Sequence, residues 1–279
     1  MTEPAPTDFA TRYGRWAVVV GASEGVGAAA ADELARRGLD LVLVARNGEL
    51  LDEVAAHARA QHGVEARPLV VDLTEPDASE RIVAATEGLE VGLLLHTTGA
   101  AGAVGRFVDL SLDHARRMIR LNCSVPAELT HAFAGPMIER GRGGIVLVGS
   151  TGCFAGQPYV ASYSASKAFQ VNLAEGLWSE MKALGVDVLA AAIGSTDTPA
   201  RTRRLGVTFR DDVDMTSEAV ALEIIDHIAD GPTRVVSKLE SGIGRLAQPW
   251  LDYRALAVPI MASAMSGFTD RTTSGGDTG

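Results

Sequence analysis

A chain of 279 residues with 47% hydrophobic content is long enough to bury a substantial core in one or two domains. Its formal charge of −10 argues against the clustered Lys/Arg surface that nucleic acid or an anionic membrane requires. Cys123 and Cys153 are too few for a disulfide framework, and no apolar run approaches the roughly 20 residues of a membrane span. The acidic start Met1-Thr2-Glu3-Pro4 lacks the apolar stretch of a signal peptide, so a cytoplasmic setting is expected.

In chain order, residues 1–14 are polar and small-residue-rich and are expected to form a disordered tail. Trp16-Ala17-Val18-Val19-Val20 reads as a fully buried strand, short, apolar and β-branched. It runs into Gly21-Ala22-Ser23-Glu24-Gly25-Val26-Gly27, and an alanine-rich helical pattern follows to Arg37, stopping at Gly38. Strand, glycine turn, helix is the setting in which bare backbone approaches a pyrophosphate and a helix N-terminus faces the anion. The spacing is Gly-x-x-x-Gly-x-Gly. Leu41 to Ala45 reads as a second strand, with a charged helix from about Glu49 to His62. Ala66 to Val71 is the third, and a helix near Pro76 to Thr86 leads to the fourth, Val91 to His96. A long helix after Leu110 contains Asn122. Gly144 to Gly149, Val186 to Ile193 and Thr233 to Ser237 complete about seven strands. The alternation predicts a Rossmann-like α/β fold, a doubly wound parallel sheet in three layers, as a single domain over residues 15–268. Residues 269–279 are expected to form a second disordered tail.

Ligands of such sheets bind where the strands end at their C-terminal edge. Gly21, Arg46, Asp72, the His96-to-Gly99 run, Ser150 and Gly194 all fall there. Tyr163 and Lys167 are four residues apart, so a helix stacks them on one face. A cation beside a phenol favours the phenolate and brings a group of pKa near 10 toward neutral pH. In order, the Gly21/Gly25/Gly27 turn, Asn122, Ser150 and Tyr163-x-x-x-Lys167 resemble the short-chain dehydrogenase/reductase family, over about Arg15 to Val236.

That resemblance implies reversible hydride transfer between a nicotinamide and a carbonyl or secondary alcohol, with Asn122, Ser150, Tyr163 and Lys167 catalytic. Tyr163 would be the proton donor and acceptor, Lys167 would depress its pKa and hold the nicotinamide ribose, and Ser150 would donate to the carbonyl oxygen. Asn122 would hold a water linking Lys167 to solvent. Cofactor contacts are expected from Gly21, Ser23, Glu24, Gly25, Val26, Gly27, Arg46, Asn47, Asp72, Leu73, Thr98, Gly99, Tyr163, Lys167, Ile193, Gly194, Thr196 and Thr198. Asp72 and Leu73 would meet the adenine, and Ile193 and Thr198 the carboxamide. Ala45 followed by Arg46 at the end of the second strand suits the 2′-phosphate of NADP(H), which is favoured over NAD(H); Glu24 argues the other way. Family members usually carry Asn-Asn-Ala-Gly after the fourth strand where this chain has His96-Thr97-Thr98-Gly99, and Pro where it has Ile193. His96 is read as a structural, hydrogen-bonded residue. The remaining histidines (His57, His62, His114, His131, His227) show no metal-ligand spacing along the chain, and no metal is expected.

Gly152, Phe154 and Tyr159 are expected to wall the substrate, a medium-sized apolar small molecule, with residues 198–215 as a lid and the apolar segment 248–268 closing the pocket or packing between subunits. Arg201, Arg203, Arg204 and Arg210 are read as balanced by Asp211, Asp212 and Asp214 rather than as a site for a phosphorylated carrier. The resemblance also implies a homo-dimer or homo-tetramer. A non-catalytic dinucleotide sensor, or an epimerase or dehydratase on the same fold, are the alternatives.

Overall fold

The computed structural model describes residues 9–99, 102–206, 209–238 and 244–273. Helix α1 (Phe9–Tyr13) precedes β1 (Trp16–Val20), α2 (Gly25–Arg36), β2 (Asp40–Ala45), α3 (Gly48–His62) and β3 (Ala66–Val70). Then come α4 (Ala78–Ala84), β4 (Val91–His96), α5 (Leu112–Ile119), α6 (Val125–Arg140), β5 (Gly143–Ser150) and α7 (Ala161–Met181). The chain closes with β6 (Val186–Ile193), β7 (Thr196–Asp197), α8 (Pro199–Leu205), β8 (Met215–Thr216), α9 (Ser217–Asp226), β9 (Thr233–Val236) and α10 (Ala247–Thr273). Seven strands form one parallel sheet in the order β3-β2-β1-β4-β5-β6-β9, and β7 pairs with β8 in a small second sheet.

The seven strands anticipated from the apolar runs are these seven, with ends shifted by a residue. Every residue of β1, β2 and β4 is buried, because helices cover both sheet faces; each fully buried Val or Leu there contributes about 1.5–3 kcal/mol of transfer free energy. One core lies on the α2, α3 and α9 side, the other on the α6 and α7 side. The helix ends follow side-chain chemistry. Asn47 caps α3 by accepting from Leu50 N–H, and Thr216 caps α9 by accepting from Ala219 N–H.

Structure differs from expectation at four places. Order begins at Phe9, inside the stretch read as a tail, because Tyr13 is buried and its hydroxyl donates to Asp187 at 3.0 Å. Residues 1–8 and 274–279, the rest of the two tails, lie outside the described residues, while α10 runs as helix to Thr273. The helix bearing Asn122 is not regular. A π turn, Arg120–Ser124, joins α5 to α6, with Val125 N–H bonding Arg120 O. Pro126 supplies the reason: it has no N–H, and its ring would clash with the residue 122 carbonyl in a regular α turn. The segment expected as a lid, residues 198–215, holds α8 and runs into β8, with residues 207–208 outside the described set.

Candidate active site

The strand order reverses between β1 and β4, and a cleft of about 1260 Å³ opens at that point on the C-terminal edge. Its floor is the glycine turn. Gly21 has φ +94°, a conformation that side chains rarely adopt, and a Cβ there would meet Thr97 Oγ1 at 2.6 Å. A Cβ on Gly27 would fall 2.0 Å from the Gly21 carbonyl. Both positions therefore require glycine. Helix α2 starts at this turn with Glu24 as N-cap and no side-chain cap bond, so its first N–H groups face the cleft as an anion site.

Every residue expected to touch the cofactor lines this cleft, from Gly21 through Arg46, Asp72 and Gly99 to Ile193 and Thr198. Asp72 is divided between two tasks. Its Oδ1 accepts from Thr74 N–H at 2.9 Å and Thr74 hydroxyl at 2.8 Å, while Oδ2 lies 3.9 Å from Arg46 Nη1. Burial pushes its carboxyl upward, but the Thr74 donors and the Arg46 and Arg117 guanidiniums outweigh that and hold it below the usual range. Thr198 caps α8 by accepting from Arg201 N–H at 3.2 Å, and Thr196 hydroxyl donates to Gly194 O. Glu24, the residue that argues against a phosphate, is paired with Arg203 at 2.6 Å. The charges of the 198–215 segment are largely spent on close partners: Arg201 on Asp214, Arg210 on Asp212, and Asp211 on Lys238, which follows β9.

At the other end of the cleft, α7 is helical as the spacing predicts, and Tyr163 and Lys167 share a face. The Lys167 ammonium is 6.0 Å from the Tyr163 ring centroid. It is 3% exposed and donates to Thr98 O (3.2 Å), Val148 O (3.0 Å) and Gln170 Oε1 (3.1 Å). Burial lowers its pKa from 10.5 to about 7. Ser150 ends β5, its Oγ accepting from Gly152 N–H at 3.1 Å. A Cβ built on Gly152 would lie 3.4 Å from both Ser150 Oγ and Tyr163 Cε1, and 3.3 Å from Gln157 Oε1. Serine hydroxyl and tyrosine ring thus flank one glycine. Asn122 does not line the cleft; it is fully buried behind it, against Gly99, and neither its Oδ1 nor its Nδ2 has a partner among the described protein atoms. An amide in that state is suited to an ordered water.

His96 is fully buried and hydrogen-bonds Thr98 Oγ1 at 3.0 Å; burial, with Lys167 nearby, lowers its pKa to about 3. It is a neutral structural residue, and Thr97 Oγ1 ties the same loop to Val20 O at 2.8 Å. Burial pushes the Cys153 thiol up to about 12, which suits a core filler rather than a reactive thiol. Of the three residues expected against the substrate, Gly152 lines the cleft. Phe154 instead packs on Trp250 of α10 with ring centroids 4.6 Å apart, and Tyr159 is exposed with φ +66°. Sequence reasoning missed Arg117, Met118 and Leu121, which face the cleft from α5 and the π turn. The spacing of Leu121 four residues after Arg117 and three after Met118, on a helix capped by Ser111, was the available signal.

The cleft fits a dinucleotide: bare glycine backbone, an uncapped helix start, and Arg46, Arg117, Arg201 and Arg203 on its rim. Sheet and cleft together define a Rossmann-type nucleotide-binding protein. The short chain dehydrogenase family model matches residues 15–205. A 7beta-hydroxysteroid dehydrogenase of Clostridium sardiniense is 37% identical over 192 residues, 69% of this chain and 73% of that protein. Among solved structures, one described for 7beta-hydroxysteroid dehydrogenase stereoselectivity has TM-score 0.79 at 26% identity, covering 93% of this chain and 100% of that one. A short-chain dehydrogenase from Sphingobium yanoikuyae in complex with NADPH has TM-score 0.72 at 28% identity, covering 95% and 98%. The chain belongs to the short-chain dehydrogenase family of nicotinamide-dependent oxidoreductases.

Proposed function

We propose that the protein is an NADP(H)-dependent oxidoreductase that interconverts a ketone and a secondary alcohol on a medium-sized apolar substrate, with Tyr163 as the acid/base. The observation that carries this is the convergence of Ser150 and Tyr163 on Gly152, with the buried Lys167 amine behind them. A bound nicotinamide supplies or accepts the hydride. Tyr163 Oη gives its proton to the developing alkoxide in reduction and takes it back in oxidation. Ser150 Oγ donates to the same substrate oxygen, so charge forming there meets a preset donor. Lys167, with a pKa lowered by burial to about 7, titrates in the working range and serves as the next member of the relay. Asn122, whose amide is buried without protein partners, holds the water through which that proton reaches solvent.

Three features support NADP(H). Ala45 ends β2 and Arg46 follows it with no carboxylate for a ribose diol, the Arg46 side chain is 63% exposed and available to a phosphate, and Arg203 neutralises Glu24. For the substrate, the 7beta-hydroxysteroid dehydrogenases among the relatives favour a rigid polycyclic ketone or alcohol over a sugar. A cytoplasmic location and a homo-dimer or homo-tetramer complete the reading. Free Cys123 and Cys153 fit the first, and Phe169, exposed on α7, fits the second. Among the described residues no helix is long and apolar enough to cross a membrane.

The test follows reduced cofactor at 340 nm with NADPH or NADH against 7-oxosteroids, bulky aryl ketones and 3-oxoacyl thioesters. NADPH oxidation with a polycyclic ketone is expected, with kcat/KM at least about tenfold above NADH. Cofactor binding without turnover across that panel would falsify the catalytic reading, and equal use of NADH would remove the NADP assignment.

A further inference from the structure

Away from the cleft, on the helical layer that α2 and α3 form over one sheet face, three side chains converge. Asp32 Oδ1 lies 2.7 Å from His62 Nε2 and 3.1 Å from His57 Nε2, and all three atoms are within 4.8 Å of one another. The two imidazoles stand edge to face, 79° apart with centroids separated by 6.3 Å. Arg36, one turn from Asp32, gives its Nε and Nη2 to Glu33, which leaves Asp32 to the two rings.

We propose that Asp32, His57 and His62 form a binding site for a divalent transition-metal ion of the zinc class, with water completing its coordination. Bonds of about 2.0–2.1 Å to imidazole nitrogen and 2.0–2.2 Å to carboxylate oxygen place neighbouring ligand atoms about 3 Å apart. The carboxylate–imidazole separations here are of that size without any movement of the backbone. Two neutral imidazoles and one carboxylate are a donor set suited to zinc, nickel or copper rather than magnesium or calcium, which take oxygen ligands. Exposure matches an exchangeable site: the side chain of His62 is 17% exposed and so held in place, while those of Asp32 and His57 are 46% and 58% exposed and open to an incoming ion. Linear spacing conceals the site, because the histidines are five residues apart on α3 and the carboxylate belongs to α2.

Such an ion would cross-link the two helices without entering the cleft, whose lining includes none of the three residues. Its effect should fall on thermal stability and leave the chemistry alone. The experiment uses the full chain without an affinity tag, stripped with EDTA, and titrates zinc chloride by calorimetry alongside thermal melts. One equivalent should bind and raise Tm. Asp32→Asn and His57→Gln should each weaken zinc binding at least about tenfold, the loss that removal of even an outer-shell partner causes, and should abolish the Tm response while NADPH affinity stays unchanged. His57 is exposed enough that its substitution leaves folding intact. Zinc binding of equal strength in both variants, or no binding up to millimolar zinc, would overturn the proposal.

Discussion

The two ends of the cleft are built in different ways. The dinucleotide end is backbone: strand ends, a glycine turn in which Gly21 and Gly27 have no room for a Cβ, and a helix start without a side-chain cap. The far end is side chains clipped together. Asp214, fully buried, holds Arg201 and the Arg210 N–H, and Glu175 holds Arg254 and so docks α10 on α7, where Trp250 meets Phe154. Backbone geometry cannot be altered one atom at a time, so the first end accepts one kind of ligand. Ion pairs and ring stacks can be exchanged singly, so the second end is the one where the proposed substrate choice would be set.

Mutations should expose that contrast, and the largest effect lies where the two ends meet. Tyr163→Phe removes the proposed proton donor and leaves the ring that flanks Gly152, so kcat should fall about 10²–10⁴-fold while NADPH affinity, read by fluorescence titration, is retained. Near-normal turnover would place the acid/base elsewhere. Gly27→Val should act oppositely. Its Cβ would collide with the Gly21 carbonyl at 2.0 Å, and the turn must open. Loss of NADPH binding together with a lower Tm is expected, and a variant that still binds NADPH normally would show that the turn is not the floor.

Lys167 offers a pH signature. Its folded pKa lies near 7, below the ordinary lysine value of 10.5, because burial penalises the ammonium. Between those values the unfolded chain holds the proton and the folded one releases it, so this group makes stability rise with pH from about 7 to about 10.5. Below about 7 the ammonium is charged in both states and the penalty is complete. In cofactor-free protein, the Tm difference between Lys167→Met and the parent should therefore be largest in favour of the variant near neutral pH and shrink as pH rises. A pH-independent difference would mean that Lys167 is not neutralised by burial.

Arg46→Ala should have a smaller effect, about tenfold on NADPH Kd with little change for NADH, because Arg117 and Arg203 remain on the rim. Equal loss for both cofactors would assign Arg46 to the pyrophosphate or adenine rather than to the 2′-phosphate.

The same division explains what was legible in the sequence. Seven apolar strands, the glycine turn and the Tyr163/Lys167 spacing are periodic or local signals, and backbone-built parts follow from such signals. The π turn at Asn122 was hidden, because Pro126 acts on a carbonyl four residues back and the pattern still reads as helix. Arg117, Met118 and Leu121 reach the cleft only through the way α5 packs, and Asp32 meets His57 and His62 only through the packing of α2 on α3. Phe154 was legible as an aromatic near the site but not as the partner of Trp250, which lies 96 positions later in the chain (250 − 154). Contacts between distant segments carry no local period.

That last contact gives the smallest test. If α10 shapes the substrate end through the Phe154–Trp250 stack, Trp250→Ala should release Phe154 toward the cleft wall and raise KM for a polycyclic ketone a few-fold, the scale of an aromatic pair worth about 0.5–1.5 kcal/mol. NADPH Kd should not move, because neither ring is among the described residues that line the cleft. Arg254 and Glu175 would still hold α10 in place, so a loss of stability alone would not account for a KM change specific to the bulky substrate. An unchanged KM across large and small ketones would show that α10 only covers the core, and the boundary of the substrate end would then stop at Gln157 and Gly152.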